Sequence, residues 1–171
     1  MLEKSKIDMS YNLLKGKKGI IFGALNEDSI AWKVAERAHE EGAEFILTNA
    51  PVALRMGQLD ELAKATGSEV IAADVTSTED LEKLFDVAEA KFGKLDFILH
   101  SIGMSINVRK GIHYTESNYD FYHKAMDISA ISFHRVMKIA KKRDLMNEWG
   151  SILALSFIAA QMAIPGYNDM S

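Results

Sequence analysis

The chain contains no cysteine, which excludes a disulfide scaffold and a thiolate nucleophile. It has two prolines in 171 residues, too few for long disordered linkers of the proline-rich kind. No apolar run approaches the roughly 20 residues that cross a bilayer. Residues 1–8 carry Lys4 and Lys6 with no apolar stretch behind them, so they do not read as a secretory signal. A positive excess is missing as well: the net charge is −4, and lysine and arginine are scattered. General affinity for nucleic acid is therefore not expected. No metal-ligand set is assigned. The default expectation is a cytoplasmic protein with neither a nucleic-acid nor a membrane partner.

What is present is an apolar fraction of 48% with 26% charged residues, the balance of one globular domain with a real core. Two periods alternate along it. Short apolar runs at 18–24, 44–48, 69–74, 95–101 and 149–156 predict strands, the first of them buried on both faces. Between them, 29–41, 54–66, 79–92 and 119–142 carry apolar residues at helical spacing, the first three closed by Gly42, Gly67 and Gly93. This order predicts an α/β fold with a doubly wound parallel sheet. Residues 1–8 read as an N-terminal extension and 9–171 as a dinucleotide-binding (Rossmann) domain. Such a fold has at least one more helix and strand beyond the fifth strand, so the domain reads as truncated there. The polar stretch 103–118 reads as a long loop, a length usually kept for function.

The chemistry-bearing residues cluster where these strands end. Gly23 closes the first strand and Ser29 is placed to cap the following helix. A helix N-terminus offers free N–H groups and a favourable dipole to a pyrophosphate. Only one glycine of the G-x-G-x-x-G pattern is present, so this turn also fits a plain strand–loop–helix junction. The second strand ends in Thr48-Asn49-Ala50-Pro51 with no carboxylate for a ribose, and Arg55 follows. That leaves NADH and NADPH both open. Asp74-Val75 fits either an adenine contact or a turn before the next helix. Ser101-Ile102-Gly103 ends the fourth strand at the expected ligand edge, and His100 reads as a packed strand residue. Tyr167 follows Pro165-Gly166 beyond the fifth strand, where its hydroxyl could donate to a carbonyl oxygen gaining charge. A tyrosine needs a nearby cation to act as a good acid. The short-chain reductase pattern would put a lysine four residues on, but that position is Ser171.

In their order, Gly23 with Ser29-Ile30-Ala31, Asp74-Val75, His100-Ser101-Ile102-Gly103, Asp127-Ile128-Ser129 and Tyr167-Asn168 resemble enoyl-acyl-carrier-protein reductase, a divergent branch of the short-chain dehydrogenase/reductase superfamily. The likeness runs from about residue 9 to 171. Tyr11 to Gly16 and Thr48 to Pro51 are similar to members from Bacteroidetes.

The resemblance implies a cytoplasmic oxidoreductase of fatty-acid biosynthesis. It would use NADH, with NADPH open, to reduce a trans-2-enoyl thioester held on acyl carrier protein, and would be a homotetramer at full length. It implies that Gly23, Ser29 and Ile30 hold the cofactor's phosphates and ribose. Asp74 and Val75 would flank the adenine, and Ser101, Ile102 and Gly103 the nicotinamide. Tyr167 would be the catalytic tyrosine. The family's lysine lies seven residues after that tyrosine, at a position beyond Ser171. Its second tyrosine lies ten residues before, where this chain has Phe157. Residues 1–171 alone are therefore expected to catalyse little. A ketone or sugar reductase, and a non-catalytic nucleotide-binding module, are the alternatives.

Overall fold

A computed structural model describes residues 10–171; the extension at residues 1–8 lies outside them. Five parallel strands form one sheet in the order β3-β2-β1-β4-β5. They are β1 (Lys18–Phe22), β2 (Glu44–Asn49), β3 (Glu69–Ala72), β4 (Leu95–His100) and β5 (Met146–Ala154). Ile20 of β1 pairs with Ile46 on one side and Ile98 on the other. Successive residues of a strand face opposite sides, and both sides of β1 are covered. Ile20 and Phe22 pack under α4 (Thr78–Phe92) and α7 (Ser132–Lys142), against Leu84, Phe85, Val136 and Ile139. Ile21 packs with Trp32 and Ala35 of α1 (Ile30–Glu40) and Leu62 of α3 (Leu59–Thr66). This is the doubly wound sheet expected from the apolar runs.

The helices differ from expectation in two places. The helix expected over 54–66 is two, because α2 (Pro51–Met56) ends at Gly57 before α3 begins. A Cβ at Gly57 would meet the Leu25 carbonyl oxygen at 2.6 Å, and the Gln58 N–H donates to that same oxygen at 3.0 Å. The break thus lets the chain press against the β1–α1 loop. The helix expected over 119–142 is interrupted between α6 (Tyr119–Met126) and α7 by one π-helical turn, Asp127–Ile131. The Ser132 hydroxyl donates to the Ile128 carbonyl at 2.6 Å inside it. Side-chain bonding to a carbonyl one turn back distorts helices in this way.

The stretch 103–118 is not an open loop. It holds the short helix α5 (Ile106–Arg109) and a 3-10 turn at Tyr114–Glu116. β5 begins three residues earlier than the period suggested and is irregular: its pairing with β4 shifts between Leu95 and Phe97, leaving Trp149 at φ +64° and 93% exposed. Arg143 ties α7 to α4 through Glu82, Asp86 and Glu89.

Candidate active site

The chain leaves β1 towards β2 and β3, then returns to β4 and β5 on the other side. Ligands of open α/β sheets sit outside the carboxyl ends of the strands at such a reversal. A groove of about 460 Å³ opens there, lined among others by Ile30, Ser101, Ile102, Gly103, Ser129 and Phe157. A smaller hollow of about 250 Å³, beside His39, Glu44 and Lys91, lies at the amino end of β2, away from these groups.

The β1–α1 loop supplies the groove's first wall. Gly23 has φ +92°, and a Cβ on it would lie 2.0 Å from the Ser101 carbonyl oxygen. The crossing of two strand ends alone therefore requires glycine here. Ser29 departs from expectation: it occupies the N-cap position but makes no cap hydrogen bond. Its hydroxyl instead accepts from the Leu25 N–H at 3.1 Å and donates to the Asn26 carbonyl at 2.7 Å. The loop is braced, and the first N–H groups of α1 are left without a side-chain acceptor. No acidic residue stands in that first turn, and Ile30 beside it is 64% exposed. An uncapped helix start facing a groove suits an anionic group.

At the end of β2, Asn49 donates to the Ala24 carbonyl at 2.9 Å and accepts from the Ala50 N–H at 2.8 Å. Arg55 is exposed on α2. Thr48 is fully buried, and its hydroxyl has no hydrogen-bond partner. Asp74 forms a turn, accepting from the backbone N–H and the hydroxyl of Thr76 at 2.8 and 2.7 Å. The Asp74 N–H donates to Asp80, whose own N–H is capped by Ser77. Val75 is packed in the core.

At the end of β4, His100 is buried and 2.8 Å from the Ser132 hydroxyl. That hydroxyl gives its one proton to Ile128, so the His100 Nε2–H is the donor between them. Burial holds this imidazole below its ordinary pKa. His100 is thus the packed strand residue expected, and it braces the π turn. The turn aims Ser129 at the groove, where its hydroxyl accepts from the Met104 N–H at 3.0 Å. Ser101 and Ile102 are half-buried and Gly103 is exposed at the mouth.

Beyond β5 the chain forms the far wall. Tyr167 and Phe157 are each 42% exposed, with ring centroids 5.5 Å apart. Two residues after Tyr167, Asp169 is buried and accepts from the Ser105 hydroxyl and, at 3.0 Å, from the Asn107 side-chain amide. Asn168 donates to the Ile112 carbonyl at 2.6 Å. These contacts join two segments that the sequence gave no reason to connect. A second hollow of about 550 Å³, lined by Tyr114, Met162, Ile164 and Pro165, opens beside Gly166. Among the described residues, no group of three or more His, Asp or Glu side chains could hold a metal, and no helix is long and apolar enough to cross a membrane.

A family model described as enoyl-(acyl carrier protein) reductase matches residues 23–171. The enoyl-[acyl-carrier-protein] reductase [NADH] 1 of Rhizobium meliloti is 36% identical over 159 residues, covering 92% of this chain and 57% of that protein. The crystal structure of FabI from Alistipes finegoldii is 62% identical with a TM-score of 0.91, covering 94% of this chain and 62% of that one. The FabI–NADH complex from the same organism matches equally well, with 57% of its chain covered. The chain thus spans roughly three fifths of the length of these relatives.

Proposed function

The chain belongs to the enoyl-(acyl carrier protein) reductase family, and on that premise we propose that the protein carrying it reduces trans-2-enoyl thioesters with NADH in fatty-acid synthesis. The observation that carries the reading is the groove at the sheet's reversal, with an uncapped helix start on one wall and, on the other, Phe157 with the Tyr167 ring packed against it. A relative at 62% identity is described as a complex with NADH, and the residues present fit that cofactor. The α1 N-terminus with Ile30 would meet the diphosphate, Asp74 and the Val75 backbone would stand at the adenine end, and Ser101 to Gly103 would flank the nicotinamide. Asn49, already committed to backbone partners, brings no positive charge for a 2′-phosphate; this favours NADH over NADPH.

When bound, that cofactor would supply a hydride for C3 of the enoyl group. The chain's own task is to hold the substrate and to stabilise the negative charge that then builds on the thioester oxygen. The Tyr167 hydroxyl donates to that oxygen, a kind of contact worth about 10²–10³ in kcat. The enolate is then protonated to the saturated acyl chain. The hollow beside Gly166 offers apolar surface to that chain. The same reading implies acyl carrier protein as the carrier, a homotetramer and a cytoplasmic setting. A ketone reductase of the wider superfamily is disfavoured by Ser171, which stands where that group's lysine would be.

The test is oxidation of NADH with a short trans-2-enoyl thioester, using the complete reading frame and, separately, residues 1–171. Turnover by the former that is abolished by Tyr167→Phe supports the reading. Cofactor binding without turnover by the complete protein would leave a nucleotide-binding module instead.

A further inference from the structure

Asp169 is a buried carboxylate for which the mechanism above has no use. Its surroundings are built: Asp169, Ser105 and Asn107 are 8%, 3% and 0% exposed. Ser105 caps α5 by accepting from the Val108 N–H at 3.1 Å, and its own proton goes to Asp169. Asn107 uses both ends of its amide. Its oxygen accepts from the Asn118 N–H at 3.0 Å, and its nitrogen donates to the Asn118 carbonyl at 3.1 Å and to Asp169 at 3.0 Å. A donor to each Asp169 oxygen therefore comes from the segment following β4, while the carboxylate itself lies two residues beyond Tyr167.

Beyond its own turn's backbone hydrogen bonds, the tyrosine's side chain has little else to fix it. Its ring is half in solvent against Phe157, and the residue between it and Asp169 is the non-glycine Asn168 at φ +39°. Such a conformation persists only where its surroundings impose it. Here they do so twice, through the Asn168–Ile112 hydrogen bond and the Asp169 carboxylate. Both anchors lie in 103–118, the stretch that also begins with the groove-lining Gly103.

We propose that Asp169 is a positioning residue for Tyr167, locking the tyrosine-bearing turn to the 103–118 segment through Ser105 and Asn107 so that both walls of the groove keep one spacing. The proposal rests on the reductase reading for its kinetic consequence but not for the coupling itself. Misplacement of a reacting group by about 1 Å can cost about 10²-fold, so a loosened turn lowers kcat while cofactor affinity, set by α1 and the strand ends, is retained.

The experiment uses the full-length protein. Asp169→Asn keeps the side chain's shape but removes the charge and replaces one of the two acceptor oxygens with an N–H₂ group. It should lower kcat about tenfold or more and leave KM for NADH within about twofold. Amide hydrogen exchange supplies a readout independent of turnover: Asp169→Asn should speed exchange in 103–118 and in 164–171 together. Wild-type kcat in Asp169→Asn, or faster amide exchange in only one of the two segments, each overturns the proposal. If the wild-type protein does not reduce the thioester, the reductase reading has failed, and the hydrogen exchange still decides the coupling.

Discussion

The rings of Phe157 and Tyr167 lie 5.5 Å apart, tilted by 47°. Such a pair contributes about 0.5–1.5 kcal/mol beyond its buried area, and here it steadies a side chain exposed on its other face. Phe157→Ala should therefore lower kcat by up to about tenfold, because the tyrosine gains rotamer freedom. Phe157→Tyr keeps the stacking and should stay within about threefold of wild type. Steady-state kinetics on the two variants checks both.

Gly23→Ala combines a backbone at φ +92° with a Cβ 2.0 Å from the Ser101 carbonyl oxygen. Neither strand can yield, since Gly23 also donates to the Thr48 carbonyl at 3.0 Å. A loss of about 3 kcal/mol or more is expected from strain and overpacking, read as a lowered midpoint in urea unfolding.

His100 makes stability depend on pH in a known direction. Burial depresses its folded pKa below the ordinary 6.5, so the unfolded chain takes the proton first. Its contribution is complete above pH 6.5 and is lost as the pH falls from there through the folded value. Urea midpoints measured from pH 8 to pH 5 should fall with a slope that is flatter in His100→Gln.

Asp96 acts in the same direction at lower pH. Burial pushes its carboxyl up, but the Lys18 N–H at 3.0 Å, Lys17 at 3.0 Å and Asn147 at 3.1 Å together hold it below the ordinary 3.8. This carboxylate stabilises the fold above pH 3.8, and the gain disappears as the pH falls through the lowered value. Asp96→Asn should cost about 1–2 kcal/mol at pH 7, with the gap to wild type closing in acid.

The central strand was legible in the sequence because its apolar run between turn residues is buried on both faces, as Ile20 and Ile21 show; the edge strands β3 and β5 are more exposed and followed from their apolar runs alone. The placing of Ser101, Ile102 and Gly103 at the groove follows from strand order alone. Local pattern misled where a contact distant in sequence decides the outcome. Ser29 looked like a helix cap, yet its hydroxyl is taken by Leu25 and Asn26. Gly57 sits in an otherwise helical period, and only the approach of Leu25 shows why the helix stops there. Asp169 lies more than 60 residues from Ser105 and Asn107, and nothing in the spacing of polar residues marks them as partners. Pro51 before Gly57 was the one signal that could have split the second helix, since proline favours a first helical position.

A π turn winds one residue more than the α-helix would need over the same rise. Between Asp127 and Ile131 the chain therefore carries a surplus residue. Each residue of an α-helix advances the side-chain direction by about 100°. Deleting one position from this turn would rewind it to plain helix and swing Ser129 away from Met104, while Val136, Ile139 and Ala140 kept their places beneath the sheet. One surplus residue thus decides which side chain this wall of the groove presents.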